Sequence, residues 1–460
     1  STWGEKKMPM SHSNGRSLGG TEHSWCKAVP GGTGIATLGI LIASDHSPSF
    51  IPRLTNALKN LQNSHPILKS KLKFSPTTKS YSFFTSPKPY LDLKLYDSTS
   101  TSTLLNSLDN TPKVTDFHLL FEHEMNTNSW SVVDHEDRDV VFASLYELPC
   151  SKKLLILRLH VAACDRTTAF TLLTELRRMI SEDTKEMKKT ETLGSPIEDL
   201  LPGAMTRKSM WGRGLDMIGY SVNSFRLTNL AFKDTRQPRR TQVVKLELSY
   251  DHTQKIIAGC RARGIKLAGA LAGAGMIAAY QSRNSSVGKQ QKYGIVTFTD
   301  CRSVLPPLTL NHFGFYHSAV MNSHVVKRED KLWDVAEKYY KVFVNSKNNN
   351  KHFTDMADLN FLMCKAIENP TLTSSSSLRT SLMAVFEDTV IDDADAANKR
   401  VGVEDYMGCA SVHGIGPTIG LFDTIRDGCL NCICVYPSPL HSRDQMEEFV
   451  GDMRTVLENC

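Results

Sequence analysis

The stretch RLHVAACDRTTAF, Arg158 to Phe170, ends an apolar run in His160 and places Asp165 five residues later. An imidazole titrates near neutral pH and can take a proton from an attacking nucleophile. Cys164 lies inside the same stretch, but a thiol attacks only where it is ionised. Further imidazoles able to act as a base are His312 and His317 in NHFGFYH and His413 in the glycine-rich VHGIGP. His441, in PLHSRDQM, reads as the cap of the last helix. Each has a plainer reading: a buried, satisfied histidine, or a structural cysteine.

The elements around the stretch decide between these readings. Leu154 to His160 is nearly continuous in apolar residues and predicts a strand buried on both faces. Leu172, Leu173, Leu176, Met179 and Ile180 then recur at helical spacing. The stretch is therefore a strand–loop–helix corner, a frequent seat of active sites. Neighbours on a strand point to opposite faces. If Val161 faces a cavity, His160 faces away, unless a bulge or tight turn re-aims it.

Elsewhere, Phe50, Leu54, Leu58 and Leu61 predict a helix stopped by Pro66, and alternating runs such as SYSFFTS predict strands. Residues 183–240 are charged and carry helical fragments around Met205 to Asn229; they read as a long crossover. The second half predicts strands at TQVVKLELSY, KYGIVTFTDCR, LMAVFEDTVI and CLNCICVY, with helices between and after them. Ser374 to Ser377 reads as a connector. This order of elements suggests an α/β protein of two mixed-sheet domains, 1–182 and 241–460, a division that the 460-residue length also favours.

Composition narrows the partners. The net charge of +6 is small for 460 residues, and the basic cluster RQPRR lacks interleaved aromatics, so no nucleic-acid partner is expected. No apolar run approaches the ~20 residues of a membrane helix, and the first residues lack a secretory pattern. Eleven scattered cysteines favour reduced thiols and a cytoplasmic setting. Cys429, Cys432 and Cys434 alternate within a strand pattern, so no metal site is expected there.

Four stretches, LGGTE, ALKNLQNSHPILKSKL, the His160–Asp165 corner and DCRSVLPPLTLNHFGF, give the chain a resemblance to the CoA-dependent acyltransferase superfamily. That superfamily includes chloramphenicol acetyltransferase, BAHD acyltransferases and peptide-synthetase condensation domains; the chain looks most like a plant, alcohol-acetyltransferase-like branch. The resemblance implies two similar α/β domains with a tunnel between them and a long crossover. Its motif is H-H-x-x-x-D-G, in which the second histidine is the base; here that position is Val161, and the final glycine is Arg166. His160 matches the first, non-catalytic histidine. Asp165 matches the structural aspartate, with Arg302 its implied ion-pair partner. The family's Y-F-G-N pattern is altered to His312-Phe313-Gly314-Phe315, and D-F-G-W-G has no match.

Val161 cannot abstract a proton. The expectation is a small-molecule enzyme of plant specialised metabolism, acting by acyl transfer to an alcohol or amine with a relocated base among His160, His312, His317 and His413. Val161, Cys164, Arg166, Phe313 and Phe315 would line the substrate site. No cofactor is expected to bind tightly, acyl-CoA is a possible co-substrate, and a monomer is favoured. The alternatives are a scaffold turned to cyclisation, condensation or isomerisation without CoA, and a non-catalytic small-molecule-binding protein.

Overall fold

A computed structural model of the chain describes residues 15–108, 114–132, 137–180, 190, 192–203, 227–283, 289–306, 308–370, 377–393 and 402–460. The expected helical fragments between Met205 and Arg226, the charged run after Ile180 and most of the serine run lie outside the described residues. Among the described residues the strands are β1 (Gly15–Ser17), β2 (Thr33–Ile42), β3 (Ser70–Ser75), β4 (Ser80–Thr85), β5 (Leu93–Tyr96), β6 (Arg138–Asp139), β7 (Val141–Glu147), β8 (Lys153–His160), β9 (Arg240–Glu247), β10 (Gln291–Asp300), β11 (His317–Val326), β12 (Met383–Phe386), β13 (Val390–Asp392), β14 (Val403–Val412), β15 (Ile419–Arg426) and β16 (Cys429–Ser438). They form a mixed sheet in the order β14-β2-β8-β7-β5, a mixed sheet in the order β11-β10-β12-β15-β16-β9 with β13 beside β15, and an antiparallel sheet in the order β1-β4-β3-β6.

The apolar run of β8 is buried along its whole length because both faces of its sheet are covered. On one face, Leu155, Leu157 and Leu159 pack with Leu54, Leu58 and Leu61 of a helix, Phe50–Ser64. On the other, Leu154 and Ile156 pack with Leu120, Phe121 and Met125 of the helix Asp116–Met125. The second large sheet is covered by the helices Tyr250–Ala262, Leu267–Ser282, Leu332–Asn348 and Arg443–Glu458. The small residues of Leu267–Ser282 permit close packing: a Cβ at Gly273 would lie 3.2 Å from the Ala336 nitrogen.

Three features depart from the sequence expectation. β2, β11, β14 and β15 were not predicted as strands, although all four border the cavities described below. β14, from the last part of the chain, pairs antiparallel with β2 and so forms the edge of the first sheet. Ser442, not His441, caps the last helix by accepting from the Gln445 N–H; His441 Nδ1 instead meets Gln445 Oε1 at 3.1 Å. Among the described residues no helix is long and apolar enough to cross a membrane.

Candidate functional site

At the end of β8 the chain makes a single 3-10 turn, Val161–Ala163, and enters the helix Arg166–Ile180. The turn carries Asp165 to the helix N-terminus, where Oδ1 accepts from the Thr168 N–H at 2.8 Å. Arg302, just past the end of β10, donates Nη1 to Oδ2 at 2.8 Å and Nη2 to Oδ1 at 3.1 Å, a bidentate bond between two buried side chains. Oδ2 also accepts from the Tyr316 N–H at 2.8 Å and meets His317 Nδ1 at 3.0 Å. Burial alone would raise the Asp165 pKa. The Arg302 charge, followed by His317, outweighs burial and holds the carboxyl well below the usual carboxylate range.

That ionised carboxylate fixes the His317 ring. A carboxylate only accepts hydrogen bonds, so Nδ1 must carry the proton and Nε2 of the neutral ring is an acceptor. His317 opens β11, opposite Asp300 of β10, and its ring lines two cavities. The smaller, about 170 Å³, lies between β2, β14 and the helix Arg166–Ile180 on one side and β10, β12, β15 and β16 on the other. The larger, about 390 Å³, lies between β10, β11, the helix Met356–Glu368 and the segment Ile415–Pro417. The two share Trp25, Thr33, Phe298, Phe315, His317 and Pro417. An imidazole with one nitrogen held by a carboxylate, and with no partner at the other among the described residues, therefore stands where two largely apolar spaces meet.

The other sequence candidates are distributed differently. Val161 lines the smaller cavity; His160 lines neither. The His160 ring turns away, accepts at Nδ1 from the Ala162 N–H at 3.1 Å and packs edge-on against Trp130 at 5.3 Å. Burial pushes its pKa down to about 3. Its position offers no path to a substrate in either space. His312 also lies off both cavities: Nδ1 accepts from the Thr309 N–H at 2.8 Å, and its carbonyl serves Arg302. His413 lies off both, bonded to Thr241 Oγ1 at 2.9 Å and pushed down to about 4 by burial and by Arg379.

Cys164 lines the smaller cavity, but burial pushes its thiol well above its ordinary pKa, so it is no ready nucleophile. Arg166 lines the same cavity with its charge committed to Asp423, at 3.1 Å, while its guanidinium covers the Phe386 ring. Phe315 lines both cavities, whereas Phe313 stacks on His65 at 3.7 Å, away from them. Trp25, Phe298, Phe386 and Asp423 were not singled out in the sequence. Nothing in their local patterns marks them, because they come together only when distant elements pack, Trp25 from the helix Gly20–Ala28 and the others from strands.

This α/β architecture of mixed sheets resembles that of acyltransferases and condensation domains of known structure. The polyketide synthase associated protein 5 of Mycobacterium tuberculosis has a similar fold, with 15% identity over 96% of this chain and 97% of that one and a TM-score of 0.59. The trichothecene 15-O-acetyltransferase of Fusarium sporotrichioides is 12% identical over 96% of this chain and 94% of its own, with a TM-score of 0.68. A cyclization-docking bidomain of a peptide synthetase from Sorangium cellulosum is 12% identical over 98% and 86%, with a TM-score of 0.64. No family model and no curated protein matches the sequence.

Proposed function

We propose that the chain transfers an acyl group to an alcohol or amine, with His317 as general base and Asp165 as the residue that orients it. The observation that carries this reading is the 3.0 Å bond from His317 Nδ1 to Asp165 at the junction of the two cavities. In this reaction Nε2 takes the proton of the acceptor O–H or N–H as its heteroatom attacks the acyl carbonyl. The tetrahedral intermediate then expels the thiolate of an acyl thioester, acyl-CoA being the candidate donor, and the imidazolium returns the proton to it. A positioned base contributes ~10²–10⁴-fold. The two cavities would form a passage between domains 1–182 and 241–460, joined by the crossover 183–240. The sequence resemblance supports a plant alcohol-acetyltransferase-like enzyme, and the scattered cysteines support a cytoplasmic setting.

Incubation with a panel of acyl-CoA thioesters and small alcohols and amines, followed by chromatography of ester or amide product, tests the proposal. His317→Ala is expected to lower turnover by ~10²–10⁴-fold. His160→Ala and His413→Ala, whose rings lie off both cavities, are expected to change it only a few-fold. Wild-type rates retained by His317→Ala would overturn the assignment of the base. Product formed from an acceptor without thioester consumption would favour the second reading, a non-acyl-transfer step on the same scaffold, which the loss of the motif histidine at Val161 keeps open.

A further inference from the structure

The larger cavity has a buried cation in its wall that no carboxylate among the described residues neutralises. Arg379 is 4% exposed and lines this cavity beside Thr380, Gly416 and Pro417. Its guanidinium is held only by backbone carbonyls. Nε donates to Ser377 O at 3.3 Å, Nη1 donates to Val412 O at 2.9 Å and Pro417 O at 2.8 Å, and Nη2 donates to Gly414 O. Among the described residues no carboxylate lies within 4.0 Å of it. Burial, with the nearby charge of Arg239, pushes its pKa down to about 9.

Carbonyl oxygens satisfy the hydrogen-bonding needs of a guanidinium but do not cancel its charge, and a buried, uncancelled charge is costly. Among the described residues the cavity lining supplies no counter-charge. No Asp or Glu is among its lining residues, whose ionisable members are His317, Lys365 and Arg379. Lys365 is largely solvated and lies 3.6 Å from Glu368, which leaves Arg379 as the unpaired inner cation. One N–H on Nη2 remains after the four bonds to carbonyls, out of the five that an arginine carries.

We propose that the larger cavity binds a substrate bearing a single carboxylate, held at Arg379. One inner cation with one spare N–H matches a monoanion; the second charge of a phosphate dianion would have to be met from a distance, by Arg239 or by the half-exposed Lys365. The volume of about 390 Å³ falls in the usual ~300–1,000 Å³ range of small-ligand sites. The proposal rests on the acyl-transfer reading only for the fate of the ligand: the bound acid would present its nucleophile to His317, which lines the same space.

Calorimetry and thermal unfolding of the full chain with benzoate, benzamide and phenyl phosphate test the proposal. Benzoate is expected to raise the Tm and to bind at least ~10-fold more tightly than benzamide, the neutral isostere, because hydrogen bonds to charged groups are the stronger ones. Phenyl phosphate is expected to bind more weakly than benzoate. Ala319→Phe, which fills the larger cavity from β11, is expected to abolish benzoate binding. Arg379→Met should reduce benzoate affinity to that of benzamide; if that variant fails to fold, the wild-type comparison and Ala319→Phe still decide. Benzamide binding as tightly as benzoate, a preference for phenyl phosphate, or unchanged benzoate binding in Ala319→Phe would each overturn the proposal. His317→Ala separates the two ideas: benzoate binding retained with turnover lost supports both, whereas turnover retained sinks the base assignment and leaves the carboxylate site standing.

Discussion

Asp165 is the residue on which the corner turns, because it accepts from Arg302, Thr168, Tyr316 and His317 at once. Its folded pKa lies below the ordinary ~3.9 of an aspartate. The stability it contributes is therefore fully present above pH ~3.9 and is lost as pH falls below that toward the folded value. Asp165→Asn is expected to destabilise the protein by ~3 kcal/mol at pH 7, since it leaves buried Arg302 with only Asp300, at 3.1 Å, as counter-charge. Denaturant unfolding at pH 7 and pH 3 should show the gap to wild type narrowing in acid; a gap that does not change with pH would assign the loss to packing instead. His160 has the opposite charge sign but the same direction in acid. Its folded pKa, about 3, lies below the ~6.5 of a free imidazole, so the unfolded chain binds the proton first as pH falls. It should cost ~1.4 kcal/mol of stability per pH unit between ~6.5 and about 3, and His160→Gln should remove that increment from the pH profile of unfolding.

At the scale of elements, the sequence made the corner legible and left the cavity hidden. The buried strand ending at His160 and the helix after Asp165 follow from a continuous apolar run and a helical stripe; His160 and Val161 do face opposite ways, as a strand would have them, although Val161 already belongs to the 3-10 turn. β2 and β14 escaped because several of their cavity-lining positions are small, Gly34 and Ala36 in the one and Gly408 and Ala410 in the other; β15 lines the cavity with the mixed set Gly420, Phe422, Thr424 and Arg426. Small residues leave room for a ligand, and for the same reason they blur the apolar alternation by which a strand is read. β11 escaped because HSAVMNSHVV mixes polar and apolar residues on both faces, one of which meets a cavity rather than a core. His317 was one of four candidate bases in the sequence; only the pairing of β10 with β11 and the turn at Asp165 set it apart. Gly34 shows how closely the corner is fitted. Its φ is +98°, and a Cβ there would lie 2.6 Å from Val161 Cγ1. Gly34→Ala is expected to cost ~1–3 kcal/mol in denaturant unfolding. Adding Val161→Ala should recover the clash but not the backbone strain, so a complete recovery would count against the strain.

At the scale of the molecule, the two large sheets are not built from separate halves of the chain. β14 lies along β2, and a fragment of residues 1–182 would leave the edge of β2 unpaired. An exposed apolar edge strand invites association with other chains. That fragment is therefore expected to elute as aggregate in size-exclusion chromatography, and addition of a peptide spanning residues 402–413 should shift part of it to monomer. A monomeric fragment 1–182 without the peptide would show that the sheet closes by other means. The same pairing sets a timetable for biosynthesis: β2 leaves the ribosome long before β14, the strand that is to lie along it. Until then the nascent chain carries an unfinished edge, so slowed translation after residue 182 should lengthen its dependence on chaperones.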